Sequence, residues 1–513
     1  MNPKQFVSCS TDPLETLPRH LTDLVRHCNQ LNRKGDYSTV IGLYTEAIDS
    51  NPNCSVLFAN RSEAFAEIGK YTRALQDAIR ARELSPRWAN AYFKQGIALQ
   101  GLSRHADALA VFSSGLAQDN KDTELLISFV EAALKSPFRD AIEPVYRQLQ
   151  SMQLDQSPFV ITSVVGQELL LRKNLEAAVV ILESCLRIGT SSMKLRGSVY
   201  SSLGSAYWQL GETDKALQFM MSDLQVSKSL GDQLGECRAN GNIGSVHFSS
   251  GNLQEALTFQ RQQLVIALKG RYTTEASVAL SALGQVYSAL GDWTNALASH
   301  RQCLTLVKQI GDLRKECTET GNVASVLILS GDYTKGLEML KLQQQLATST
   351  GNKAEEAKAY ANFASVYQFK GYFEEAQHYS EKLVKVAQDL NDKIMEGKGY
   401  SGLGYSAKSL GDISLAKKWF SRQLETALAA KDKKMEGKAC SNLGSLHQLI
   451  SDFDGALKLH WTHLQLAKEL GDAAGMGQAY ASIGACYSSL NRYDEAFKYN
   501  TYLTSKKSKS VCS

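Results

Sequence analysis

Apolar and small residues in this chain fall at helical spacing, and that pattern itself returns every forty residues. Between 238 and 250, Ala239, Ile243 and Val246, with Gly244 among them, mark one face of a helix. Gly251 then supplies a residue that tolerates the left-handed conformation ending a helix, and Asn252 is placed to cap the next one. The same punctuation recurs at Gly291-Asp292, Gly331-Asp332 and Gly411-Asp412. A second junction closes each period at Gly231-Asp232, Gly311-Asp312, Gly351-Asn352 and Gly471-Asp472, with Asn391-Asp392 in the glycine's place. Each period therefore predicts two antiparallel helices.

Three columns run in phase through the periods. The first holds Gly204, Gly244, Gly284, Ala324, Ala364, Gly404, Gly444 and Gly484. Seven residues on stand Gly211, Gly251, Gly291, Gly331, Gly371, Gly411, Ser451 and Asn491. Five further come Ala216, Ala256, Ala296, Gly336, Ala376, Ala416, Ala456 and Ala496. Small residues at both outer columns let two helices approach closely, and a fixed period means a stack of one repeated unit. The expected fold is all-α, a right-handed α-solenoid of helix pairs.

The period also sets the expected organisation. Residues 1–20, with Pro3, Pro13 and Pro18, read as disordered, and 22–121 as three repeats at thirty-four-residue spacing. Residues 122–156 read as an atypical helix pair, 158–504 as the long-period array, and 505–513 as a disordered basic tail. Tyr493, Ala496, Phe497 and Tyr499 end the array without a polar capping helix, which predicts a shortened product or self-association through that end.

The order small residue, aromatic, Gly-Asp-aromatic, Ala-Leu, as in Gly284 to Tyr287, Gly291 to Trp293 and Ala296-Leu297, resembles the tetratricopeptide repeat. The forty-residue period is similar to that of the Pins/LGN spindle-orientation scaffolds. The runs Arg104–Leu109, Ser157–Leu170 and Lys194–Tyr200 lie outside the generic consensus and resemble a much longer member of the superfamily that acts in cell division. That resemblance implies a role in mitosis and cytokinesis at the spindle midzone and midbody, with spindle or midbody components, a mitotic kinase included, as partners.

The stacked first helices should carry the binding face. Two residues before the small-residue column lie Asn242, Asn322, Asn362 and Asn442, and one helical turn earlier Arg238, Lys358, Lys398 and Lys438. A carboxamide offers both a donor and an acceptor to the backbone of an extended peptide, and the cations add a preference for acidic segments. Asparagine mid-helix can equally serve the fold. In similar scaffolds of the Pins/LGN type, residues at these places hold partner peptides. The first three repeats also resemble co-chaperone modules that clamp an acidic chaperone tail. Asn29 and Asn60 match the clamp asparagines and Lys94 replaces its arginine, but Val25 and Asn90 stand where the clamp has lysines.

Charge and cysteines narrow the classes. Lys plus Arg number 56 against 52 Asp plus Glu, so net charge argues for neither nucleic acid nor a membrane surface. Ten scattered cysteines without a Cys-x-x-Cys pair read as reduced core thiols in a cytoplasmic protein. No stretch has the length and apolarity of a membrane span. His460 and His463 have the spacing of a metal pair, yet no third ligand is evident. His300 and Cys303 have no orienting partner in the sequence, and Trp208, Trp293, Trp419 and Trp461 read as core. Neither a cofactor nor catalysis is expected.

Overall fold

The computed structural model describes residue 13 and residues 17–499. Most of segment 1–20, the end of the array past 499 and the tail 505–513 lie outside the described residues. Among the described residues every regular element is a helix, and the chain folds as two compact units, 1–270 and 271–513.

The first unit opens with the pairs Arg19–Arg33 and Tyr37–Ser50, Ser55–Glu67 and Tyr71–Leu84, Ala89–Gly101 and His105–Leu116. Helices Thr123–Lys135 and Arg139–Ser151 follow, and the second is lightly held: it buries only Ile142 and Leu149, and Pro144 removes one of its backbone donors. Helix Leu175–Ile188, the partner of Pro158–Leu171, packs directly on His105–Leu116, past that loose pair, and Asn120 Nδ2 donates to the Ile188 carbonyl at 3.3 Å. Pairs Met193–Gln209 with Thr213–Leu230 and Gln233–Ser249 with Leu253–Lys269 complete the unit. The second unit repeats the motif from Thr273–Ala289 with Trp293–Ile310 to Ala473–Ser489, each second helix packed between its own first helix and the first helix that follows.

The junctions follow the backbone chemistry. Gly211, Gly251, Gly291, Gly331, Gly371 and Gly411 all have positive φ, and Ser451 and Asn491 adopt it in the same column. Asp292, Asp332 and Asp412 accept from the backbone N–H three residues on, at 3.1, 3.2 and 2.8 Å. Asn252 makes no such bond, against expectation, so that helix starts without a side-chain cap. In the second junction column, Arg271 and Lys431 hold φ 55° and 53° where Gly311 and Gly351 have 81° and 64°. A β-carbon in that region costs roughly 1–2 kcal/mol. Lys431→Gly is therefore expected to raise stability, and Gly351→Lys to lower it, by about 1 kcal/mol each. Unchanged urea midpoints for both would refute the assignment.

Candidate functional site

The first small-residue column is a volume contract between the two helices of a pair. Gly204 sits under Met220, Gly244 under Gln260, Gly284 under His300, Gly404 under Phe420 and Gly444 under His460. A Cβ on any of these glycines would collide with the side chain sixteen residues on. Where the column has alanine, the residue sixteen on is Leu340 for Ala324, in the same core cluster, and Ser380 for Ala364. Read from the sequence, that facing position merely varies; the structure sets it against the glycine column.

His460 belongs to this contract. It is fully buried, and burial pushes its imidazole down to about 4, with His463 as a smaller contributor. His463 is also buried, and no group of three His, Cys, Asp or Glu among the described residues is placed to hold a metal ion. Cys303 donates to the Ser277 carbonyl at 3.1 Å, and burial, with Glu319 adding, pushes its thiol up to about 12. Such a thiol is no nucleophile near neutral pH. Among the tryptophans the expectation of core placement fails twice. Trp208 and Trp461 are 40% and 37% exposed, and the Trp208 indole donates to Ser249 Oγ at 3.2 Å. An indole at a helix edge keeps its polar end reachable, which a helical period alone does not report.

The amide and cation columns lie on the first helices, and the structure sorts them. In the first unit Arg238 is exposed and Asn242 half-buried on helix Gln233–Ser249. In the second unit Asn322, Asn362 and Asn442 occur on helices Leu313–Leu329, Lys353–Phe369 and Lys433–Leu449. Asn322 Nδ2 donates to Glu319 Oε1 at 3.1 Å, and Asn362 Nδ2 to Ser325 Oγ on the preceding first helix at 3.3 Å. Asn442 is enclosed: its Nδ2 reaches Gln423 Oε1 at 3.0 Å, its Oδ1 accepts from the Tyr405 hydroxyl at 2.6 Å, and it is 8% exposed. Burial raises the Tyr405 phenol, which keeps it a donor. Asn362 and Asn442 therefore tie their helices to the preceding first helix, whereas Asn322 bonds within its own helix. Sequence reasoning missed Tyr405 and Gln423. Gln263, Gln343 and Gln423, at every second step of a forty-residue column, were the available signal.

The cations are different. Lys358, Lys398 and Lys438 are exposed on three successive first helices. Lys358 pairs with Glu355 at 2.8 Å, whereas Lys398 and Lys438 make no ion pair among the described residues.

The clamp residues in the first repeats do not form a cationic cradle. Lys94 Nζ lies 2.9 Å from Glu63 with its side chain 13% exposed, so its charge is already met. Val25 packs against the core, Asn60 Nδ2 donates to the Tyr44 hydroxyl at 3.3 Å, Asn90 is half-buried and Asn29 is exposed.

Models of the tetratricopeptide repeat match residues 197–222, 235–309, 357–390 and 439–474. These matched segments are tetratricopeptide-type repeats, and the helix pairs of the fold are of that type. Over 219 residues it is 58% identical to tetratricopeptide repeat protein 28 of Homo sapiens, covering 43% of this chain and 9% of that one. Over 240 residues it is 54% identical to the protein of the same name from Mus musculus, covering 47% and 10%. The chain thus spans about a tenth of the length of those relatives. The apo form of the quorum sensor NprR from B. thuringiensis has the same fold at 13% identity and a TM-score of 0.51, over 70% of this chain and 99% of that one. No helix among the described residues is long and apolar enough to cross a membrane.

Proposed function

We propose that the chain is a non-catalytic scaffold that binds extended acidic segments of partner proteins along its first-helix faces, with Lys358, Lys398 and Lys438 as the principal contacts. The carrying observation is that Lys398 and Lys438 stand exposed and without ion pairs among the described residues, one per repeat in register. Two lysines at the starts of first helices in the same array are paired instead, Lys353 with Asp389 and Lys433 with Glu469, at 3.0 and 2.9 Å. Unpaired cations at repeating positions are what an acidic segment would meet. The first three repeats are not read as a chaperone clamp, because Glu63 already occupies Lys94.

The wider reading is a role in mitosis and cytokinesis at the spindle midzone and midbody, with spindle or midbody components, a mitotic kinase included, as partners. The likeness to tetratricopeptide repeat protein 28 supports it. Tagged protein spread evenly through cells from prophase to abscission would overturn that part.

For the groove itself, the probe is a fluorescent peptide bearing glutamates at every third position. Exposed ion pairs are worth about 0.2–1 kcal/mol each, so the double variant Lys398→Ala/Lys438→Ala is expected to weaken binding by roughly 2- to 30-fold. Raising the salt should weaken the wild type more than the variant. Equal affinity and equal salt dependence for the two proteins would refute the proposal.

A further inference from the structure

The cation row lapses between Arg238 and Lys358, at Val278 and Thr318. In the cation and amide columns the first helix Thr273–Ala289 carries Val278 and Ala282, and Leu313–Leu329 carries Thr318 with Asn322. Between these two helices the small side chains leave a recess of about 320 Å³, lined by Val278, Ala282 and Val307 and by the polar groups of Ser277, Ser281 and Glu319. Glu319 is 5% exposed. Its Oε1 accepts from Ser281 Oγ at 2.5 Å and from Asn322 Nδ2 at 3.1 Å, and its Oε2 lies 3.0 Å from His300 Nδ1. Cys303 stands beside the same carboxyl group in the recess lining. These neighbours fix the orientation of Glu319, and the recess gives a ligand its approach.

From this geometry we infer that the recess receives one long basic side chain, arginine or lysine, of the same peptide whose acidic residues meet Lys358, Lys398 and Lys438. The inference rests on the groove proposed above and adds a specificity element to it. Apolar walls suit the aliphatic stem of such a side chain, and a fixed carboxylate suits its head. Lys315, at the rim, is exposed and stands 3.9 Å from Asp312. Adjacent packed helices are roughly 8–10 Å apart, and an extended chain advances about 3.3 Å per residue. The ligand class is therefore a basic anchor followed at intervals of roughly three residues by acidic ones.

The test uses the full chain and labelled twelve-residue peptides in an Ala/Ser background. One peptide has Arg first and Glu three, six and nine positions on, a second has the reverse order, and two controls carry Ala for Arg. The better of the two Arg peptides is expected to bind about ten-fold tighter than its Ala control. Glu319→Gln should erase that preference. Val278→Arg, at a position 48% exposed, should erase it without a change in thermal midpoint by seating the chain's own cation at the mouth. If Arg and Ala peptides bind equally while Lys398→Ala/Lys438→Ala weakens both, the anchor is wrong and the groove stands. If none of the peptides binds, the groove fails and the anchor with it.

Discussion

Phe420→Ala is expected to destabilise the second unit by about 3–5 kcal/mol, the usual loss for emptying a buried aromatic site. Phe420 is 1% exposed, on helix Ile413–Ala430, with its ring over Gly404. The more telling result is the companion change. Gly404→Ala alone gains about 1 kcal/mol of helix propensity, but it drives a methyl into the ring, and overpacking costs about 1–3 kcal/mol. The net effect should be a loss. In the Phe420→Ala background the methyl falls into vacated space, so the same change should become stabilising. One repeat of this chain already has an alanine with a small residue at this spacing, Ala364 with Ser380. Urea unfolding of the four proteins gives the coupling directly. Should Gly404→Ala stabilise equally in both backgrounds, the volume contract is not what holds these helices in register.

Asp77→Ala is the second large effect, and it falls in the first unit. The Arg61 guanidinium places Nε and one terminal nitrogen each 2.8 Å from the Asp77 carboxylate, with side-chain exposures of 16% and 10%. Its plane also lies against Phe58 and Phe65, at 5.7 and 5.9 Å from their centroids. Removing the carboxylate strands a desolvated cation between aromatic rings, at a cost of about 3–5 kcal/mol. Replacing both partners, Arg61→Met with Asp77→Leu, should restore most of the loss, because an apolar pair pays no desolvation. Thermal melts in which the double variant is as damaged as Asp77→Ala would show that the pair contributes packing rather than charge compensation.

Much of the fold was legible before any coordinate. Gly291, Gly331 and Gly411 announced their turns because a positive φ selects glycine strongly, and the Asp after each announced a cap because the orphan N–H groups need an acceptor. Lys431 and Arg271 were not legible as turn residues, since the column's conformation is imposed by packed helices on either side and lysine tolerates it at a price. The candidate site was legible only as positions. Asn242, Asn322, Asn362 and Asn442 share one column, yet the structure spends Asn442 on Gln423 and Tyr405 and Asn322 on Glu319. Which residue of a helix face meets a partner from another repeat depends on contacts between segments roughly forty residues apart.

By itself the sequence determined the helix pairs, their period and the face on which cations recur, because these follow from local hydrogen-bond geometry and from spacing along one chain. Only the tertiary structure decided which polar side chains are spent inside the stack and which remain outside, and where the missing bulk at Val278 and Ala282 opens a recess above Glu319. Burial and hydrogen-bond satisfaction are properties of the surroundings of a side chain, and for a repeated fold those surroundings are made by the neighbouring repeats.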